Sequence, residues 1–301
     1  MLSGVIPVVS TPFLSDDTVD IPALDAELRW LMDQGVHGLA LAMVSEWMRL
    51  SDVERARVTE VASAAVAGRG TLVVSVGAES TNVAARQAKD AHTRGASAVM
   101  ALPPALHTAG DQALIGYFSA IVEAAEVPVV IQDASSYIGR AVPVSVMAAL
   151  GERYGFAHVL YKPESVPVGP RLAELLASTG GSARIFEGLG GGGLLEGFGR
   201  GVVGSMPGPE VPWAVVSLWE SLLRGDVDRA ERTHQALTAL LAPQQTLEAF
   251  IAAEKHLLVR QGVLPSRRRR SPTDYVLDPV AEQHLDRMFD LLWAVVHGDE
   301  G

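Results

Sequence analysis

The residues able to do chemistry in this 301-residue chain are few, and one of them is set apart. Lys162 is one of three lysines; the other two, Lys89 and Lys255, fall in segments with helical periodicity. Lys162 ends the apolar run 156–161 and precedes Pro163, which tends to close an element. An amine at the end of a buried strand is stripped of water, which favours its neutral form. A neutral amine can attack a carbonyl to form a Schiff base. The competing reading is a surface lysine, or one ion-paired with Glu164 two positions on. Other candidates follow apolar runs: Thr11, Ser45, Glu46, His107, Gln132, Asp133, Tyr137 and Glu187. Glu46 suits a base, an anchor for a cation or a buried partner for backbone N–H groups, the last being the simplest. Ser45 can donate to a substrate carboxylate or merely cap a turn. Gln132 can orient a water or a carbonyl but cannot relay a proton. Asp133 can, if its side chain reaches the site, and Tyr137 is an acid/base group or a packed rim aromatic.

Composition narrows the classes. With 24 basic and 35 acidic residues the formal charge is −11, which opposes non-specific binding to nucleic acid. Cysteine is absent, so thiolate catalysis, thiolate metal sites and disulfides are excluded. Such a chain is compatible with the cytoplasm. No His-x-x-x-His or His-Glu-x-x-His pattern occurs, and Asp16, Asp17 and Asp20 read as turn and cap residues, so no metal site is expected. The start, Met1-Leu2-Ser3-Gly4-Val5-Ile6-Pro7, has no basic n-region and is not expected to be a signal peptide. No apolar run is long enough to predict a membrane span.

The elements that must hold these groups alternate. Apolar runs at 4–9, 37–42, 71–76, 98–102, 127–132, 156–162, 183–187 and 201–205 predict eight strands. Helical periodicity between them predicts helices at 22–34, 52–67, 81–92, 111–125, 144–151, 169–178, 194–199 and 212–223. Ser51 and Glu54 form a capping-box pattern, and Ser80 or Thr81 suits a cap. Near-continuous apolar strands require helices on their outer faces, and eight such units predict a (β/α)8 TIM barrel over residues 1–224. Residues 225–301 predict additional C-terminal helices at 226–242, 246–261 and 280–297, packed on the barrel, with an Arg-rich link at 265–272. A barrel carries its working groups at the C-terminal strand ends, where all the candidates above fall. The glycines at 190–193 suit a turn or, less simply, a phosphate cradle, and Gly188 suits close approach to a small ligand.

In order and spacing the chain resembles the dihydrodipicolinate synthase / N-acetylneuraminate lyase family over almost its whole length. The anchors are Gly4-Val5-Ile6-Pro7 leading to Thr11-Pro12-Phe13, Lys162 at the family's Schiff-base lysine, Gly188 after strand seven, and the apolar segment 201–206. The resemblance implies a homotetramer or homodimer in which Lys162 forms an imine with pyruvate or another 2-oxo acid. The enamine then adds to an aldehyde or is released by retro-aldol cleavage. No cofactor is implied, because the protonated imine is the electron sink. Some relatives dehydrate sugar acids instead. Tyr137 and Asp133 would assist Lys162, and Met43, Val44, Ser45, Glu46, Gln132, Gly188 and Met206 would bind substrate.

The departures from the family are sharp. Gly-Thr-Thr-Gly-Glu becomes Ala42-Met43-Val44-Ser45-Glu46, so both hydroxyls are lost. The strand-five tyrosine becomes Gln132, the arginine that binds acidic aldehydes becomes Tyr137, and 102–105 lacks the lysine-pathway tyrosine. Losing a proton relay costs on the order of 10²–10⁴ in rate. These losses argue against an authentic dihydrodipicolinate synthase and against an ordinary N-acetylneuraminate lyase, and leave three expectations: a divergent aldolase, a Schiff-base dehydratase or deaminase, and a non-catalytic 2-oxo acid binding barrel.

Overall fold

The structure is a computed structural model that describes residues 2–106, 109–139 and 141–298. Among the described residues eight parallel strands follow in order: β1 Gly4–Val5, β2 Gly38–Leu41, β3 Thr71–Ser75, β4 Ala98–Ala101, β5 Val129–Asp133, β6 Val159–Pro163, β7 Phe186–Glu187 and β8 Gly204–Ser205. They pair as β2-β3-β4-β5-β6 and β1-β8-β7. Two bridges, Val8 with Ala40 and Tyr161 with Ile185, join these groups edge to edge and close the ring. The first strand is shorter than its apolar run because Pro7 has no N–H to donate. Its carbonyl still accepts from the Ala40 N–H at 2.8 Å, and pairing resumes at Val8.

Alternation along the strands sorts the core into two shells. Ile6, Val8, Ala40, Ala42, Val73, Ala98, Met100, Val130, Leu160, Phe186 and Met206 fill the barrel interior. The intervening residues, such as Leu39, Leu41, Val74, Val99, Ile131, Val159 and Tyr161, pack outward against the helices. This parity decides which strand-end residues face the mouth.

The covering helices are α1 Ile21–Asp33, α2 Asp52–Val66, α3 Thr81–Thr93, α4 Asp111–Ala125, α5 Ser135–Ile138, α6 Val144–Tyr154, α7 Val168–Ser178, α8 Leu194–Gly199 and α9 Pro212–Arg224. The Ser51/Glu54 capping box is formed, whereas Ser80 occupies the cap position of α3 without a side-chain bond. The single-turn α5 and two 3-10 turns, Met43–Ser45 and Trp47–Arg49, lie where the pattern gave only loops.

Beyond α9 come α10 Val227–Leu241, α11 Leu247–Arg260 and α12 Pro279–His297. The α10 helix packs on α9 and α12, and α11 reaches the Met43–Ser45 turn. The Arg-rich link is more than a connector. Arg270 sends its guanidinium to Glu54 and to the carbonyls of Arg49 and Asp17, and its backbone N–H to Glu46. Arg268 pairs with Asp17 and Arg269 with Glu248. Loops one and two are thereby tied to the far end of the chain. Among the described residues no helix is long and apolar enough to cross a membrane.

Candidate active site

Lys162 sits in the inward register of β6, two residues beyond Leu160 in the barrel interior, and opposite Gln132 on β5. Glu164 continues the same parity. All three are buried, yet all three border a cavity of about 270 Å³ at the barrel mouth. The Lys162 Nζ donates to Glu164 Oε1 at 2.5 Å. Gln132 Nε2 donates to the other oxygen, Oε2, at 2.7 Å, so one carboxyl group is held between the amine and an amide. The amine is therefore paired and not isolated. Its proton has an acceptor within bonding distance inside the cavity.

Gly188 leaves room for this pair. A Cβ there would stand 2.8 Å from Glu164 Cγ and 3.1 Å from Lys162 Cγ. Where close approach of a small ligand was expected, the structure brings these two stems against Gly188, which also borders the cavity. Tyr137, carried by α5, also lines the cavity. Its hydroxyl is pushed up to about 12, first by burial and then by the negative charges of Glu164 and Glu187. It is a neutral donor at any physiological pH and not a base.

The remaining candidates divide. Met43, Val44 and Met206 line the cavity as apolar walls. Asp133 does not reach it, because its outward parity on β5 turns it to Arg171, 3.2 Å away, and to the Ser135 N–H. The acid role expected of Asp133 is corrected accordingly. Ser45 is fully buried, and its hydroxyl accepts the Ala42 N–H at 3.1 Å, so it closes a turn where substrate binding was expected. Thr11 donates to the Ser45 carbonyl at 2.5 Å. Glu46 is equally structural: Oε1 meets Lys255 Nζ at 2.5 Å and Oε2 meets Arg49 at 2.9 Å and the Arg270 N–H at 2.9 Å. It borders no part of the cavity that holds Lys162. Glu187 accepts from the N–H groups of Leu189, Gly191 and Gly193 and from the Ser205 hydroxyl. The glycine run thus cradles the chain's own carboxylate, and the phosphate reading is set aside. His107 lies outside the described residues.

Several wall residues had no local signal. Leu241 at the end of α10, Gln244 and Gln245 in the loop after it, and Phe250 on α11 reach the cavity. Glu27, Glu210, Glu254 and Lys255 are buried polar groups behind loop one. Burial raises Glu27 to about 8 and Glu210 to about 7, and it raises Glu254 well above its ordinary value with Glu210 and Glu27 adding. Lys255 is lowered by burial, against the pull of Glu46.

A profile of the Dihydrodipicolinate synthetase family matches residues 1–293. The chain belongs to the dihydrodipicolinate synthetase family. Its relatives within that family are diverse. It is 29% identical over 298 residues to L-2-keto-3-deoxyarabonate dehydratase of Azospirillum brasilense, covering 96% of this chain and 92% of that one. It is 28% identical over 243 residues to 4-hydroxy-tetrahydrodipicolinate synthase of Methanopyrus kandleri, covering 79% and 80%. Solved structures share the fold. The 4-hydroxy-tetrahydrodipicolinate synthase of Methylacidiphilum fumariolicum SolV superposes with a TM-score of 0.90 at 21% identity, covering 100% of this chain and 99% of that one. YagE of E. coli K12, solved in complex with pyruvate, gives 0.88 at 22%, covering 97% and 99%. Family membership makes this chain a lyase on a (β/α)8 barrel with added C-terminal helices. Against the family pattern set out above, Gln132 stands where the tyrosine is expected, and it is bonded to Glu164.

Proposed function

We propose that the protein is a class I lyase that forms a Schiff base between Lys162 and pyruvate or another 2-oxo acid. The observation that carries this reading is the buried Lys162–Glu164 pair facing the mouth cavity. Starting from a protonated Lys162, Glu164 takes one Nζ proton, the freed amine adds to the C2 carbonyl, and Glu164 gives that proton to the alkoxide. It then takes a second Nζ proton and delivers it to the carbinolamine hydroxyl, which leaves as water. The protonated imine then draws electrons from C3, Glu164, again a carboxylate, takes a proton from C3, and an enamine forms. In the aldol direction C3 attacks an aldehyde carbon; in the reverse direction the C3–C4 bond breaks. Glu164 thus serves where the family's tyrosine is missing, with Gln132 fixing its second oxygen and Tyr137 donating as a neutral hydroxyl.

A second reading, dehydration of a 3-deoxy-2-oxo sugar acid, is favoured by the near full-length likeness to L-2-keto-3-deoxyarabonate dehydratase. There the enamine expels the C4 hydroxyl, and Glu164 protonates it as it leaves. The two differ in product only: an aldehyde plus pyruvate, or water plus a dehydrated acid. The proposal includes a cytoplasmic homotetramer or homodimer, which sedimentation of the purified chain reads.

Borohydride reduction in the presence of pyruvate tests the shared step. One reduced pyruvate should be found on Lys162 by peptide mass, and Lys162→Ala should lose both the adduct and all turnover. An unmodified Lys162 at saturating pyruvate rejects the proposal.

A further inference from the structure

The mouth cavity is polar on one side. Gln132 and Tyr137 come from the end of β5 and the turn after it, and Lys162 and Glu164 from the end of the neighbouring β6. Round the rest of the ring the wall is apolar. Leu189 follows β7, Met206 follows β8, and Met43 and Val44 follow β2, while Leu241 and Phe250 reach in from α10 and α11. Two amides after α10 also border the cavity. Gln244 donates from Nε2 to the Leu240 carbonyl at 3.1 Å, and its Oε1 is buried in the protein. Gln245 turns its Nε2 to the Ala242 carbonyl at 2.5 Å and is exposed to solvent. Gln132 Oε1 is buried like that of Gln244. The polar side therefore offers a ligand the Lys162–Glu164 pair and the Tyr137 hydroxyl.

This asymmetry assigns the two ends of a bound adduct. The atoms that exchange protons with Lys162 and Glu164 lie on the polar side. The chain beyond C3 extends away from the imine and onto the apolar wall. A hydroxyl or carboxylate set there gives up its water with no side chain to replace it. A carbon group gains by leaving water, and the thioethers of Met43 and Met206 adapt to an alkyl or a ring shape. Charge agrees. Among the described lining residues Lys162 is the only cation, and Glu164 and the substrate's own 2-oxo carboxylate neutralise the imine it forms.

We propose that the aldehyde joined to pyruvate, or released with it, is uncharged and apolar, and that Met43 and Leu241 select it. The proposal rests on the imine reading above and concerns its aldol direction. The enamine C3 bonds to the aldehyde carbon, Glu164 gives the proton it took from C3 to the aldehyde oxygen, and water releases a 4-hydroxy-2-oxo acid from Lys162. Substrate choice then lies in loop two and the C-terminal helices, and the imine chemistry in β5 and β6.

The test compares three aldehydes with pyruvate on the full-length protein. They are 2-methylbutanal, glyceraldehyde, which carries a hydroxyl in place of each of its two methyl groups, and succinic semialdehyde, which ends in a carboxylate. Mass spectrometry of the 2-oxo acid formed gives kcat/KM for each. The value for 2-methylbutanal should exceed that for glyceraldehyde by at least about tenfold, the scale of two buried methyl groups, and that for succinic semialdehyde by more. Leu241→Asn and Met43→Gln keep the side-chain size and add an amide, and each should cut the preference at least about threefold. Borohydride trapping of pyruvate on Lys162 checks that each variant keeps its site. Equal values for 2-methylbutanal and glyceraldehyde overturn the inference. So does a preference for glyceraldehyde or succinic semialdehyde, or an apolar preference unaltered in both variants. A pyruvate adduct on Lys162 with turnover of none of the three aldehydes sinks this inference and leaves the imine reading standing; no adduct at all sinks the imine reading itself.

Discussion

The buried carboxyl of Glu27 should make this protein less stable as pH rises through neutrality, and Glu27→Gln should remove its share of that dependence. Glu27 is fully buried on α1; Oε1 accepts the Ser10 N–H at 2.8 Å, and Oε2 has no partner among the described residues. Burial moves the group from 4.5 to about 8, opposed by the Ser10 bond and by Lys255. Between those values the folded chain holds a proton that the unfolded chain has released. Stability must therefore fall as pH rises across that window and level off above it. At 1.36 kcal/mol per unit, partial ionisation included, the step from pH 5 to pH 7 costs roughly 2–3 kcal/mol from this side chain. Gln keeps an acceptor for Ser10 and cannot titrate. Urea unfolding followed by tryptophan fluorescence at pH 5, 6, 7 and 8 reads the difference directly. The variant should gain on the wild type by roughly that amount between pH 5 and 7, with a further gain by pH 8. Two curves separated by a constant offset would refute the argument and show that Glu27 is ionised in the fold.

Four other outcomes follow from the site. Glu164→Gln should lower kcat by about 10²–10⁴, and a loss under threefold would remove Glu164 from the proton path. Gly188→Ala presses a methyl against the Glu164 and Lys162 stems and should cost about 1–3 kcal/mol by thermal denaturation, with a fall in kcat; an unaltered midpoint and rate would show that the pair moves freely. Lys255→Met leaves Glu46 without its 2.5 Å partner and should destabilise by about 3–5 kcal/mol, against an expectation under 1 kcal/mol if the pair is incidental. The Tyr137 hydroxyl, at about 12, should add no limb to the pH–rate profile between pH 6 and 10, and a limb lost in Tyr137→Phe would contradict its role as a neutral donor.

The barrel was legible because eight apolar runs alternated with helical ones, and errors at element ends came from proline and glycine. Lys162 was legible because a lysine closing an apolar run is rare. Asp133 was misplaced for want of parity: Gln132 and Lys162 share the inward register, so the neighbour of Gln132 must face out. Glu164 follows Lys162 by two and carried the signal that was needed. Ser45 and Glu46 stood at the right strand end, but the turn at Met43–Ser45 sends their polar atoms into the protein. Gln244 and Lys255 had no readable cue, since their neighbours in space lie far off in sequence.

The strap from Arg268 to Arg270 has a consequence for how the chain is made. Arg270 meets the Asp17 carbonyl across 253 positions and Glu54 across 216, and Lys255 meets Glu46 across 209. A ribosome emits the first strands long before these cations exist, and domains emerge from the N-terminus onward. The barrel wall can assemble early, while loops one and two wait for their anchors. A chain truncated after Leu264 should accordingly show protease cleavage concentrated between residues 14 and 50, where the intact chain resists. Met43 and Val44 of loop two wall the cavity beside Lys162, so that wall gains its anchors only after almost all of the chain has been made.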